Sequence, residues 1–102
     1  MSMFGMLQKA QEMQANLKKL QEELARSTFV GEAGGMVRVE MNGTHELTKV
    51  QIDPKAMAAQ DVGLLEDLVL AAAKAALAEA NAVAKQKMGA LTGGLQIPGL
   101  SL

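Results

Sequence analysis

The chain has no cysteine, no tryptophan and no tyrosine, and its only aromatic side chains are Phe4 and Phe29. Without thiols there are no disulfides, no thiolate nucleophile and no thiolate metal site, a usage that fits a reducing cytoplasm. With two Phe alone there is no aromatic platform on which successive bases could stack, which argues against recognition of single strands. No window approaches the roughly 20 apolar residues of a membrane-spanning helix, because Lys74, Glu79 and Asn81 interrupt the Ala-rich stretch. Met1-Ser2-Met3-Phe4-Gly5 lacks a basic region followed by a long apolar run and does not read as a secretion signal. An excess of positive charge is missing too. The formal net charge is −1, which runs against the basic balance usual in general binders of nucleic acid.

What remains is apolar and aliphatic. Hydrophobic residues make up 49% of 102 residues, enough for one packed domain and inconsistent with disorder throughout. The core must be built from Leu, Val, Ile, Met and Ala.

The pattern predicts a helix over residues 3–26, with Ser2 as its N-cap. Met6, Ala10, Met13, Leu17, Leu20 and Leu24 recur in steps of four and three, the 3.5-residue seam of a coiled coil. Gln8, Lys9, Glu12, Lys18, Lys19, Glu22 and Glu23 occupy the other side. Lys18/Glu22 and Lys19/Glu23 stand at i,i+4, in the weaker orientation, worth at most ~0.2–0.5 kcal/mol each.

Three short strands are expected next, from Ser27 to Ala33, Met36 to Met41 and Thr44 to Asp53. Gly34-Gly35 permits a reversal between the first two, and Asn42-Gly43 predicts a two-residue type I′ hairpin turn between the others. In the middle strand Val37, Val39 and Met41 share one face and Met36, Arg38 and Glu40 the other. In the third, Val50 and Ile52 share a face from which Leu47 is out of phase, which points to a bulge near Thr48.

Asp53-Pro54 ends the sheet, and Lys55 to Gln60 reads as a connecting turn. Asp61 caps a second long helix over roughly 62–88, with Leu65, Leu68, Val69, Ala72, Ala76 and Val83 on its apolar side. Nine of the fourteen residues from Ala71 to Ala84 are Ala, so another backbone can approach closely. The domain is thus expected over 1–88. Residues 89–102, with Gly89, Gly93-Gly94 and Pro98-Gly99, read as a flexible tail, in which Leu91, Leu95, Ile97, Leu100 and Leu102 could dock elsewhere.

Lengths point to association. A seven-residue strand spans ~23 Å, whereas helices of 24 and 27 residues span ~36 and ~40 Å. Both helices should overhang the sheet, and a three-stranded sheet leaves two edges and one face to cover. Self-association resolves this economically.

Candidate chemistry is sparse. His45 is the only histidine, has no second His, Cys or Tyr to complete a site, and reads as a solvated hairpin residue. Glu66-Asp67, with Asp61 nearby, point about 100° apart on a helix and do not converge on one ion; first-turn acids are better explained by the helix dipole. Gly34-Gly35 and Gly93-Gly94 lack the context of a phosphate-binding loop. Met6, Met13, Met36, Met41, Met57 and Met88 read as gap-filling core or interface residues. No constellation of acid, base and nucleophile can be assembled, so an enzyme is not expected, and no cofactor or metal is implied. The remaining set is basic: Lys9, Lys18, Lys19 and Arg26 on the first helix and Lys85 and Lys87 near the end of the second. These either form positive patches that contact phosphates or are ordinary solvated charges matched by nearby Glu.

A run of motifs resembles one family along nearly the full length. Met3-Phe4-Gly5 followed by Leu7-Gln8-Lys9-Ala10-Gln11-Glu12-Met13-Gln14 is similar to the first helix of the YbaB/EbfC family of bacterial nucleoid-associated proteins. Gly35-Met36-Val37-Arg38-Val39, Asn42-Gly43 and Val50-Gln51-Ile52-Asp53-Pro54 resemble its sheet. Leu65-Glu66-Asp67-Leu68-Val69 with Ala71-Ala72 resembles the start of its last long helix, and Met88-Gly89, Gly93-Gly94 and Pro98-Gly99 its tail. The resemblance implies an α+β fold of order α-β-β-β-α with a three-stranded antiparallel sheet, and a tweezer-like homodimer. It further implies binding to double-stranded DNA in the nucleoid, in the cytoplasm, with little or modest sequence preference. Carried over, the DNA-binding positions would be Lys9, Lys18, Lys19, Arg26, Lys85 and Lys87. The competing expectation is a protein–protein interaction module that uses the seam and the apolar tail.

Overall fold

A computed structural model describes residues 2–91. In chain order these form α1 (Met3–Arg26), β1 (Thr28–Ala33), β2 (Val37–Asn42), β3 (Leu47–Ile52), a short α2 (Pro54–Ala58) and α3 (Val62–Leu91). The strands make one antiparallel sheet in the order β1-β2-β3. The α+β architecture expected from the sequence is the one observed.

Local chemistry accounts for most boundaries. Ser2 Oγ accepts from the Gly5 N–H at 3.2 Å and starts α1, satisfying one of the donors that a helix N-terminus leaves unpaired. Asp53 Oδ1 accepts from the Lys55 N–H at 2.9 Å, with Pro54 at the first helical position. The segment that reads as a turn is thereby a five-residue helix, because an Asp-Pro pair both caps and pre-sets the first turn. Asp61 Oδ1 accepts from the Leu64 N–H at 3.0 Å and caps α3. That helix continues three residues beyond its expected end, through Leu91, which packs against the core and lies beside α1. The remainder of the expected tail, 92–102, lies outside the described residues.

Of the two reversals, the first is as tight as the sequence suggests and the second is not the expected two-residue turn. Gly34 and Gly35 both take positive φ (58° and 65°), and the Met36 N–H donates to the Ala33 carbonyl at 3.1 Å, the features of a type I′ turn. Asn42-Gly43 does not form one. Instead Gly43, Thr44 and His45 make a three-residue loop, with the His45 N–H on the Asn42 carbonyl at 3.1 Å, the Asn42 N–H on the Glu46 carbonyl at 3.0 Å and φ +66° at His45. The cause is the Asn42 side chain. Its Oδ1 accepts from the Thr44 N–H, the Thr44 hydroxyl and the Glu46 N–H at 3.0, 2.7 and 3.0 Å, favouring the longer loop with one left-handed residue.

The sheet is apolar on one face. Phe29, Val37, Val39 and Met41 are buried there, while Arg38 and Glu40 occupy the opposite face beside Gln51 and Lys49. α3 lies across the apolar face over β1 and β2 with Ala72, Ala76, Ala80 and Ala84 inward, a stripe at the four-residue spacing of one helix face. The approach is backbone to backbone: a Cβ on Gly31 of β1 would overlap Ala72 and Ala76 main-chain atoms. Small residues on both elements permit this.

Among the described residues, α1 meets the other elements toward its C-terminus. Leu20 and Leu24 are buried, Met13 and Leu17 half-buried, and Met3, Phe4, Met6 and Leu7 exposed. The N-terminal part of the seam therefore projects as an arm, and the described residues span 68 × 22 × 16 Å.

Candidate nucleic-acid interface

The C-terminal part of α1 packs against the end of α3 through Leu20 and Leu24. Between them runs an open groove of about 500 Å³ lined by Asn16, Lys19, Leu20, Glu23, Arg26, Lys87, Ala90 and Leu91. Three of the six basic positions expected from the sequence, Lys19, Arg26 and Lys87, are brought to this groove. Lys19 and Arg26 are seven residues apart, two turns along one helix face; Lys87 comes from the other helix.

The other three are not brought there. Lys18 is about 160° round the helix from Leu20 and faces away from the packed side. Lys85 is separated from Lys87 by a similar angle. Lys9 lies on the projecting arm, roughly 15 Å along the axis from Lys19 at 1.5 Å per residue. All three are exposed, so the six make one cluster of three and scattered single charges.

Glu23 belongs to the groove, although its spacing in the sequence does not single it out. Its Oε2 stands 3.7 Å from Lys87 Nζ. The i,i+4 pairings Lys19/Glu23 and Lys18/Glu22 do not form: among the described residues Lys87 is the only one of the six cations in an ion pair. Helix-to-helix packing presents Glu23 with a cation on α3, which outcompetes the unfavourably oriented local pair.

A second surface adjoins α3. β3 is exposed at every residue, although Ile52 and Val50 pair across from Val37 and Val39 and so share their apolar face. Glu40 pairs with Lys49 and Met41 with Leu47, leaving Thr48 as the extra residue of the expected bulge. The bulge turns Leu47 onto the same face as Val50 and Ile52. α3 does not reach this row: Leu47, Val50 and Ile52 remain 57%, 49% and 40% exposed. Asn81, which meets the β2–β3 loop, marks the stripe of α3 turned this way, and Leu77 and Leu70 stand four and eleven residues before it, also exposed. With the exposed Lys74, seven residues before Asn81 on the same stripe, they border a largely apolar valley.

His45 is exposed, as its position suggests, but not merely solvated: its Nε2 is 2.8 Å from Asn81 Oδ1. Of the acidic residues, Glu66 and Asp67 fall in the second turn of α3 and not the first, since the helix begins at Val62. Among the methionines Met41 is in the core, Met36 and Met88 pack against it, and Met6 and Met57 are exposed. Among the described residues no helix is long and apolar enough to cross a membrane.

Comparison with known proteins gives a consistent result. The model of the YbaB/EbfC DNA-binding family matches residues 1–95. The chain is 47% identical over 97 residues to the nucleoid-associated protein Teth39_2199 of Thermoanaerobacter pseudethanolicus, covering 94% of this chain and 87% of that protein. It is 43% identical over 100 residues to a nucleoid-associated protein of Pelotomaculum thermopropionicum, covering 97% and 95%. The fold is similar to the crystal structure of the uncharacterized protein HP0035 from Helicobacter pylori, with a TM-score of 0.67, 20% identity and coverage of 91% of this chain and 95% of that one.

Proposed function

This chain belongs to the YbaB/EbfC DNA-binding family, and on that premise we propose that it binds duplex DNA as a homodimer in the nucleoid. Contacts are to backbone phosphates, with little or modest sequence preference. The observation that carries the reading is the convergence of Lys19, Arg26 and Lys87 on one groove between two helices, despite a net charge of −1 over the whole chain. Long basic side chains at a groove rim neutralise phosphates without reading bases.

The homodimer is supported by the valley of Leu47, Val50, Ile52, Leu70 and Leu77. Several large apolar side chains exposed together in this way are a common mark of an association surface. A second copy suits it because one two-fold contact covers the same row on both protomers and duplicates the basic groove.

The test is a salt titration of binding to mixed-sequence duplex, followed by fluorescence anisotropy. Affinity falls as salt rises, and Lys19→Glu with Arg26→Glu weakens binding and flattens the logarithmic slope by ~0.9 for each phosphate no longer neutralised. Lys18→Glu, facing away from the groove, weakens it less. Salt-independent binding, or none at low salt, refutes the reading.

The exposed arm favours a second reading, an interaction module. Met3, Met6, Leu7 and Ala10 line one apolar patch at its tip, and their three- and four-residue spacing suits an amphipathic helix of a partner protein. If that is the arm's main role, Met6→Glu abolishes partner capture while duplex binding is unchanged.

A further inference from the structure

We propose that Glu23 is a built-in competitor of DNA phosphate for Lys87, a carboxylate that lowers the affinity of the α1–α3 groove for duplex. The inference rests on the duplex reading above and assigns a role to a residue that reading does not use.

Glu23 stands four residues after Lys19 on α1, yet its carboxylate is turned across the groove to Lys87 at 3.7 Å. Both side chains are substantially exposed, 41% for Lys87 and 59% for Glu23. An ion pair this open holds the helices together only weakly, and the buried Leu20 and Leu24 already perform that task. Its larger consequence is electrostatic. Lys87 is the one cation that α3 contributes to the groove, and Glu23 occupies it. A phosphate that reaches Lys87 must displace the carboxylate and then lie within a few ångströms of it, where like charges repel and are little screened at a Debye length of about 8 Å. The other groups facing the pair across the groove are Lys19, Arg26 and Asn16, and none of them carries negative charge. Glu22, the neighbouring acid, points about 100° away round the helix.

The competition is specific to the pair, which separates it from a general effect of net charge. Glu23→Gln and Glu22→Gln change net charge by the same amount, but only the first frees Lys87. The experiment measures duplex affinity by anisotropy at several salt concentrations for the full chain and for Glu23→Gln, Glu22→Gln, Lys87→Gln and the double variant Glu23→Gln/Lys87→Gln. Thermal melts confirm that each is folded.

Glu23→Gln is expected to bind about two- to fivefold more tightly, the span of an exposed ion pair, and to steepen the logarithmic salt slope by up to ~0.9, equivalent to one additional neutralised phosphate. Glu22→Gln gains less. In the Lys87→Gln background the gain from Glu23→Gln disappears, since a coupled pair is non-additive. An equal gain in both backgrounds, or no gain beyond that of Glu22→Gln, overturns the inference while leaving the duplex reading intact. Absence of binding by the unaltered chain at low salt overturns both.

Discussion

The backbone N–H of Gly43 donates to the carbonyl oxygen of Leu24 at 2.8 Å, tying the tip of the β2–β3 loop to the last turn of α1. The same carbonyl accepts the Ser27 N–H at 3.1 Å, so one oxygen closes the helix and docks the hairpin. There is no room for a side chain: a Cβ on Gly43 would overlap the main chain and Cβ of Leu24. Gly43→Ala is expected to destabilise by about 2 kcal/mol, as overpacking does. In thermal unfolding this is a drop of roughly 8–16 °C for a domain of this size, and an unchanged melting temperature would contradict the geometry.

Gly31 makes the stronger demand. A methyl group there meets the main chain of Ala72 and Ala76, and neither a strand nor a helix backbone can move aside as a side chain can. Gly31→Ala is expected to cost about 3 kcal/mol or more, at the upper end for overpacking. Chemical denaturation at fixed protein concentration measures it. A value below that of Gly43→Ala would show that α3 slides freely over the sheet.

Asn42 should matter for its side chain and not for a two-residue turn. Asn42→Ala removes the acceptor of the Thr44 and Glu46 N–H groups. These donors are exposed and can turn to water, so the expected destabilisation is about 1 kcal/mol, a typical net hydrogen-bond contribution. Asn42→Asp keeps that acceptor but replaces the Asn42 Nδ2 donor to Glu46 Oε1, 3.3 Å away, with a second carboxylate, so it should recover only part of the loss in the same melting experiment.

For the apolar valley the readout is mass. Val50→Glu places a charge in a row that is exposed in the protomer, so the fold should tolerate it while association does not. Sedimentation equilibrium is expected to give a dimer for the unaltered chain and a monomer for the variant, with far-ultraviolet circular dichroism unchanged. A variant that remains dimeric would place the interface elsewhere.

The elements governed by local rules are legible in the chain. Ser2, Leu20 and Leu24 define α1 because a cap and a helical period act over a few residues. The alternation Val37-Arg38-Val39-Glu40-Met41 defines β2 for the same reason, and the phase mismatch between Leu47 and Val50 reveals the bulge at Thr48. The Asn42-Gly43 loop departs from its expected form because the deciding interaction is the Asn42 side chain, which outweighs the dipeptide's backbone preference. α3 runs past its expected end because helix stability there comes partly from packing against α1, which glycine spacing does not report.

The candidate interface divides along the same line. The sequence by itself determined which residues carry positive charge, that an aliphatic core must form without thiols or bulky aromatics, and which motifs join the chain to its family. Only the tertiary structure decided that Lys19, Arg26 and Lys87 share a groove while Lys9, Lys18 and Lys85 do not, and that Glu23 answers Lys87 instead of Lys19. The reason is physical: charge and hydropathy belong to single residues and local periods, whereas proximity between residues 23 and 87 exists only after α1 and α3 have packed.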